Sequence, residues 1–286
     1  MKKYTVPDRL CTTKRIGVFK LLNNPTQYSI PDTTATLYAC DCRELLPTLP
    51  AASVDLILID PPYNISRSSG FVNNSDDRPE YIAKYGKHQI DFGAWDKEDS
   101  VDMQFMLEQV YRVLKPHGTF LCFYDFWKLY LLRETAENVG FKQPRLGCWN
   151  KTNPVPINSK LNYLTNAKEF FVTFVKGGKP TFNSVYDNAE YFYTADTCDT
   201  YSHAIVHGKE RLAHPTQKPL ALIEALVQKH SNPGDTVLDF FAGTGTTGVA
   251  CMNTKRNSVL CERTQQYIPM ITARLSDCCN KCAEVH

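Results

Sequence analysis

No stretch of the 286-residue chain comes near the roughly eighteen consecutive apolar residues that a membrane-spanning helix needs. That lack excludes an integral helical membrane protein. No repeat and no low-complexity tract recurs along the sequence, which excludes solenoids and collagen-like or coiled arrays. An excess of one charge is missing as well: 32 Lys and Arg stand against 30 Asp and Glu, a formal charge of +2, which neither demands nor forbids a polyanionic partner. The opening MKKYTVPDRL has no apolar core and no small-residue cleavage site, so a secretory signal is not expected. The eleven cysteines are therefore expected as thiols in a reducing, cytoplasmic compartment.

With 43% hydrophobic and 22% charged residues, the chain has the composition of a globular protein. Its length suits one large α/β unit with a smaller embedded region. Apolar runs and turn residues alternate in an α/β manner. Short strands are expected at 37–40 and 54–59, with a helical turn at 43–49 between them. The second run, Val-Asp-Leu-Ile-Leu-Ile, is the kind buried on both faces of a parallel sheet. Residues 65–97 have no sustained period and read as a long loop. A helix follows near 101–114, stopped by Lys115-Pro116-His117-Gly118, then a strand at 119–124 and a helix at 126–138. From 141 to 213 the chain turns aromatic and rich in Asn and Thr, the texture of an inserted region, strand-like at 169–175. Beyond it come a helix at 219–230, a strand at 236–239, a helix at 247–253, a strand at 258–261 and a terminal helix around 265–275.

Two motifs carry chemistry. Phe241-Ala242-Gly243-Thr244-Gly245-Thr246-Thr247-Gly248 is a G-x-G-x-x-G loop between a strand and a helix, where glycines allow tight turning and close backbone approach to a nucleotide-like ligand. Glu262, just past the next strand, is placed to accept hydrogen bonds from ribose hydroxyls. A cofactor strand normally opens a doubly wound sheet, but this one lies late in the chain. The remaining strands must come from earlier residues, so the sheet is expected to be circularly permuted.

The second motif is Asp60-Pro61-Pro62-Tyr63-Asn64, which leaves the carboxyl end of the buried 54–59 run. Pro62 removes a donor and holds Pro61 extended, so the Asp60 carboxylate and the Pro61 carbonyl form two acceptors facing one small pocket. Such a pocket suits an exocyclic amine. Accepting both of its N–H groups lets the nitrogen pyramidalise and turn its lone pair toward a methyl donor, with the developing positive charge beside a carboxylate. Tyr63 offers a ring on which a base can stack. A base inside a duplex cannot reach such a pocket unless it is flipped out, at a few kcal/mol of unstacking.

D-P-P-Y-N first, H-P-T-Q-K-P at 214–219 and D-F-F-A-G-T-G-T-T-G after it resemble the β-class DNA amino-methyltransferases over most of the chain. The resemblance implies a Rossmann-like, doubly wound, mostly parallel and circularly permuted α/β fold, with S-adenosylmethionine as cofactor and double-stranded DNA as substrate. It divides the chain into an N-terminal arm (1–33), a catalytic half (34–140), a target-recognition region with closing strands (141–213) and a cofactor half (214–286). Asp60, Pro61, Pro62 and Tyr63 take the catalytic role. Asp239, Phe241, Gly243, Thr244, Gly245, Thr246 and Glu262 line the cofactor site, Asp41 lies near the adenine, and Thr216 and Lys218 near the methionine end. Asn64, Trp149 and Lys151 border the target base, although Trp149 could equally close the edge of the core. Aspartate at the head of D-P-P-Y is more usual among adenine-N6 than cytosine-N4 enzymes, so site-specific adenine-N6 methylation is expected, with cytosine-N4 methylation and a silent DNA-binding module as alternatives. Glutamine methyltransferases are similar but carry Asn at the first position, and messenger-RNA adenine enzymes carry Trp at the last. The family often dimerises, and a restriction endonuclease is a common companion.

Two features lie outside the motifs. Lys2, Lys3, Arg9, Lys14, Arg15 and Lys20 make a basic arm, read as a solvated tail. Cys278, Cys279, Cys282 and His286 contain the zinc-like spacing C-x-x-C-x-x-x-H. One closely spaced group lacks a folded partner to complete a tetrahedral site, so no metal is expected there.

Overall fold

The computed structural model describes residues 25–63, 102–154, 164–184 and 198–284. The expected loop at 65–97, Asn64, the basic arm and His286 lie outside them.

The middle strand β3 (Val54–Ile59) shows why its sequence has no polar alternation: it is covered on both faces. Leu56 and Leu58 enter one core with Leu222, Ile223, Leu226 and Val227 of α4 (Leu220–His230). Ile57 and Ile59 enter the opposite core with Leu107 and Val110 of α2 (Met103–Val113) and Leu132 and Ala136 of α3 (Leu129–Val139). Each such side chain contributes about 1.5–3 kcal/mol on burial, which makes this strand the anchor for whatever follows Ile59. Its one charged residue, Asp55, sits near the opposite end, bound by Lys115 Nζ at 2.8 Å and by the Thr236 N–H at 3.0 Å.

Nine strands among the described residues form one sheet in the order β1-β2-β9-β8-β3-β4-β6-β5-β7. Here β1 is Thr26–Ile30, β2 Thr33–Tyr38, β4 Leu114–Tyr124, β5 Lys142–Lys151, β6 Lys168–Val175, β7 Thr200–His203, β8 Thr236–Asp239 and β9 Asn257–Cys261. Strands β2, β9, β8, β3 and β4 run parallel, and β6 turns antiparallel against β4. The chain leaves β8 through α5 (Thr246–Asn253) toward β9 on one side, whereas β3 leads to β4 on the other. The carboxyl ends of β8 and β3 therefore flank the point where the winding reverses, the place where open α/β sheets form a ligand crevice. The late chain position of β8 and its central place in the sheet are the expected circular permutation.

Several elements depart from the sequence reading. β1 falls in the expected N-terminal arm but pairs antiparallel with β2 across a turn at Asp32, whose φ is 62°. β4 begins at Leu114 and not at 119, because α2 runs into it without a loop. The register slips between Val54↔Leu114 and Leu56↔Thr119, so Lys115, Pro116 and left-handed His117 (φ 69°) form an irregular stretch inside the strand. Among the described residues of 141–213, β5 and β6 extend the main sheet, and β7 adds to β5. The terminal helix α6 (Ile268–Glu284) runs past 275, along the apolar stripe that Ile271 and Leu275 begin. Cys278 and Cys279 continue that stripe against the core formed with β1 and β2.

Candidate active site

At the tip of β8, Asp239 is almost fully buried and holds the glycine loop by both ends. Its Oδ1 accepts the Phe241 N–H at 3.0 Å and its Oδ2 accepts the Thr247 hydroxyl at 2.6 Å, which ties the start of the loop to α5. Burial pushes its pKa up to about 7, against the pull of those two hydrogen bonds. Gly243 and Gly245 turn the loop with φ of 52° and 74°, a left-handed conformation that disfavours any residue with a Cβ. A Cβ at Gly243 would also stand 3.4 Å from His214 Nε2.

The next strands bring two more carboxylates to the same edge. Glu262, after β9, accepts the Gly243 N–H at 2.8 Å and the Thr264 N–H at 2.8 Å. Burial raises its pKa. Asp41, after β2, caps α1 (Cys42–Leu45) through the Arg43 N–H at 2.8 Å and pairs with the Arg43 guanidinium at 2.8 Å. Arg274 of α6 supports the loop from behind, donating to the Thr244 carbonyl at 2.9 Å and the Thr246 hydroxyl at 2.8 Å. His214 packs 4.7 Å from the Tyr267 ring, and burial with the nearby Lys218 charge lowers its pKa to about 4, so it is neutral.

Across the reversal point, the chain leaving β3 presents Asp60 and Tyr63. The Asp60 Oδ2 accepts from the Lys218 ammonium and its Oδ1 accepts the Tyr63 hydroxyl at 2.9 Å. Glu169, at the start of β6, accepts from Lys218 at 2.7 Å, from Lys151 at 3.1 Å and from the Tyr63 hydroxyl at 3.3 Å. The Lys128 ammonium donates to the Tyr63 carbonyl, and the Tyr124 ring meets Tyr63 edge-on at 5.8 Å. Burial raises the Asp60 pKa; Lys218 opposes that shift and the neighbouring Glu169 charge reinforces it. Burial also presses on Glu169, but its two lysines hold it below the ordinary value. Lys218 stays firmly protonated between the two carboxylates, and Tyr63 stays a hydroxyl donor.

Both groups open into one cavity of about 1020 Å³. That is at the top of the usual span for a small-ligand pocket, roughly 300–1,000 Å³. Asp41, Pro61, Pro62, Thr216, Phe241, Thr244 and Thr246 line it with the residues above. Gly245 faces the other way, its missing Cβ leaving space for Ile271. Trp149 is buried, with its indole N–H bonded to the His203 carbonyl at 2.9 Å, and it also borders the cavity, with Lys151 Nζ 5.0 Å from its ring centre. At the mouth, Phe126 and Trp127 leave 48% and 86% of their surface exposed.

Lys218, expected near the methionine end of a cofactor, lines the shared cavity and places its ammonium on Asp60. Glu169, Arg274 and Thr264 were not anticipated from the sequence. For Glu169 a signal existed: a lone acid heads the apolar run Glu-Phe-Phe-Val-Thr-Phe-Val. Among the described residues no cluster suited to a metal ion occurs, and no helix is long and apolar enough to cross a membrane.

Over 257 residues the chain is 31% identical to the type II methyltransferase M.HinfI of Haemophilus influenzae, covering 87% of this chain and 70% of that protein. It is 28% identical to the type II methyltransferase M2.DpnII of Streptococcus pneumoniae over 82% of this chain and 87% of the other. The crystal structure of an M1.HpyAVI–SAM complex superposes with a TM-score of 0.59 at 25% identity, over 84% of this chain and 99% of that one. The PvuII cytosine-N4-specific DNA methyltransferase, 18% identical, shares the fold with a TM-score of 0.62 over 87% and 93% of the two chains. The DNA methylase family model for N6 and N4 enzymes matches residues 54–273, and with both motifs inside that span the chain belongs to the N6/N4 DNA methylase family.

Proposed function

We propose that this chain methylates the N6 amine of an adenine flipped out of double-stranded DNA, with S-adenosylmethionine as the methyl donor. One observation carries the reading: the acceptor carboxylate Asp60 and the glycine loop at 241–248 leave adjacent strands and open into the same cavity. The wall fits an adenosine-bearing cofactor. Asp41 and Glu262 offer acceptors for hydroxyl or amine donors, Phe241 and Tyr267 offer apolar surface, and the bare Gly243 keeps the loop open. When bound, that cofactor supplies an electrophilic methyl group on a sulfonium.

Everything else falls to the chain. A carboxylate has about four lone-pair sites, and Lys218 and Tyr63 take one on each Asp60 oxygen, so acceptors remain for an incoming N–H. Tyr63, locked by its hydroxyl and its carbonyl, holds its ring beside that carboxylate. Trp149 and Tyr124 line the same cavity and give it apolar surface beside Tyr63. Aspartate at the first motif position supports adenine over cytosine, and the unbroken pair of motifs supports activity over a silent binding module.

The test is labelled-methyl transfer to unmethylated duplex DNA followed by nucleoside mass spectrometry. N6-methyl-2′-deoxyadenosine in the digest is expected. N4-methylcytosine would overturn the choice of base, and no labelled nucleoside would overturn the activity.

A further inference from the structure

We propose that Glu169 is a positioning residue for methyl transfer, acting through Lys218 and Tyr63 to keep the pocket around Asp60 from becoming cationic. The proposal rests on the amine-methylating reading above and adds to it a residue outside both motifs. Its ground is a count of charges in one buried place. Asp60 and Glu169 are carboxylates; Lys218 bridges both, and Lys151 binds Glu169 from β5. Their side chains are only 24%, 17%, 7% and 17% exposed, so solvent screens them poorly. Two negative charges and two positive ones leave the cluster neutral.

The reaction moves positive charge toward that cluster. A new N–C bond forms from the amine lone pair as the S–C bond breaks and its electron pair stays on sulfur, so the sulfonium charge passes to the amine nitrogen until a proton leaves it for solvent. With Glu169 in place the nitrogen develops its charge in a neutral pocket, beside an ionised Asp60. Without that carboxylate, Asp60 would face two lysines alone and the pocket would carry a net positive charge, which opposes the step. Glu169 also has a second hold on the site through the Tyr63 hydroxyl at 3.3 Å, on the same ring that stands beside the acceptor. The other groups facing Asp60 do not replace it. Asp239 on β8 spends both oxygens on its own loop, Cys122 on β4 is a thiol kept protonated by burial, and Lys128 after β4 bonds the Tyr63 backbone carbonyl and neither carboxylate, so it stands outside the four-charge cluster.

The variant E169Q keeps the shape and an acceptor for Lys218 while removing the charge. In steady-state assays with DNA and S-adenosylmethionine, kcat is expected to fall about 10- to 100-fold, less than the roughly 10²–10³ of losing a preorganised contact made directly to the reacting group, because Glu169 acts through Lys218 and Tyr63. KM for DNA and the calorimetric cofactor affinity should stay within roughly threefold. The acid limb of the rate profile should move to lower pH at the same time, because Asp60 no longer ionises beside a second carboxylate. Loss of packing would lower the plateau without that movement. The double variant E169Q/K218M restores neutrality, so its kcat should exceed that of E169Q, a sign of coupling that two independent lesions cannot give. A second readout needs no turnover: in the protein without DNA or cofactor, carbon-detected NMR should show the Asp60 carboxyl titrating lower in E169Q than in the parent. Unchanged kcat with an unmoved Asp60 titration, or a double variant slower than E169Q, overturns the proposal. If the parent protein methylates no amine in DNA, the functional reading fails, and the Asp60 titration still decides whether Glu169 sets the charge of the pocket.

Discussion

On the β8 side of the crevice the contacts that shape the glycine loop join residues near in sequence, whereas on the β3 side the contacts that bring Lys218 and Glu169 to Asp60 and Tyr63 join residues far apart. Thr247 reaches Asp239 across 8 positions and Gly243 reaches Glu262 across 19. Tyr63 reaches Glu169 across 106, and Lys218 reaches Asp60 across 158. The first side is made largely of backbone N–H groups bent around glycines, so its shape comes from one loop and the two strands beside it. The second is a set of charged side chains that meet only because the sheet places β3 next to β8 and brings β6 and β5 round behind β4. A local loop can be broken at one residue, while a cluster assembled by topology answers to changes on several distant elements.

The largest effect should follow from breaking the local side. Gly243→Asp puts a branched, charged side chain where the backbone is left-handed and a Cβ already meets His214. Calorimetric cofactor affinity should fall at least about 100-fold, the scale of a buried unpaired charge. On the distant side, Asp60→Ala should cost roughly 10²–10³ in kcat while leaving that affinity near the parent value; a parent-like kcat would remove Asp60 from the reaction. The two variants thus separate the halves.

Asp239 sharpens the comparison through pH. Its folded-state pKa of about 7 lies above the ordinary value near 3.9 of the unfolded chain, so the native state holds its proton more tightly. The stability this confers is complete below about pH 4 and is lost as pH rises toward 7, a swing of a few kcal/mol at most. In urea unfolding, Asp239→Asn should gain stability relative to the parent between pH 5 and pH 8. A difference that stays flat with pH would show that Asp239 keeps an ordinary pKa. The smallest effect is expected at the mouth. Trp127→Ala removes an exposed ring with stacking capacity of about 1 kcal/mol, raising KM for DNA several-fold with cofactor affinity unchanged.

What the sequence made legible follows the same division. Val54–Ile59 and Thr236–Asp239 were read with their observed bounds, because an apolar run closed by an acid and a turn is a local signal. The glycine loop and its carboxylate partner Glu262 were legible for the same reason. β1 and the early start of β4 were not: a five-residue hairpin arm with one buried side chain has no period, and a strand carrying a proline and a left-handed His117 contradicts its own propensity. Lys218 was read with its neighbours in H-P-T-Q-K-P and so assigned to the cofactor. Only the packing of α4 against β3 shows its ammonium on Asp60. Glu169 is hard to single out from the sequence, because an acid at a strand end is ordinarily a solvated residue and nothing local marks two lysines arriving from other strands and loops.

The central claim is that Asp60 and the Gly243 loop serve one reaction in one crevice. A bisubstrate compound that joins an adenosine N6 to the methionine end of a cofactor analogue tests it directly by calorimetry. The account predicts binding at least tenfold tighter than either half alone, weakened by both Asp60→Ala and Gly243→Asp. Affinity no better than that of the separate halves, or sensitivity to only one of the two substitutions, would contradict it.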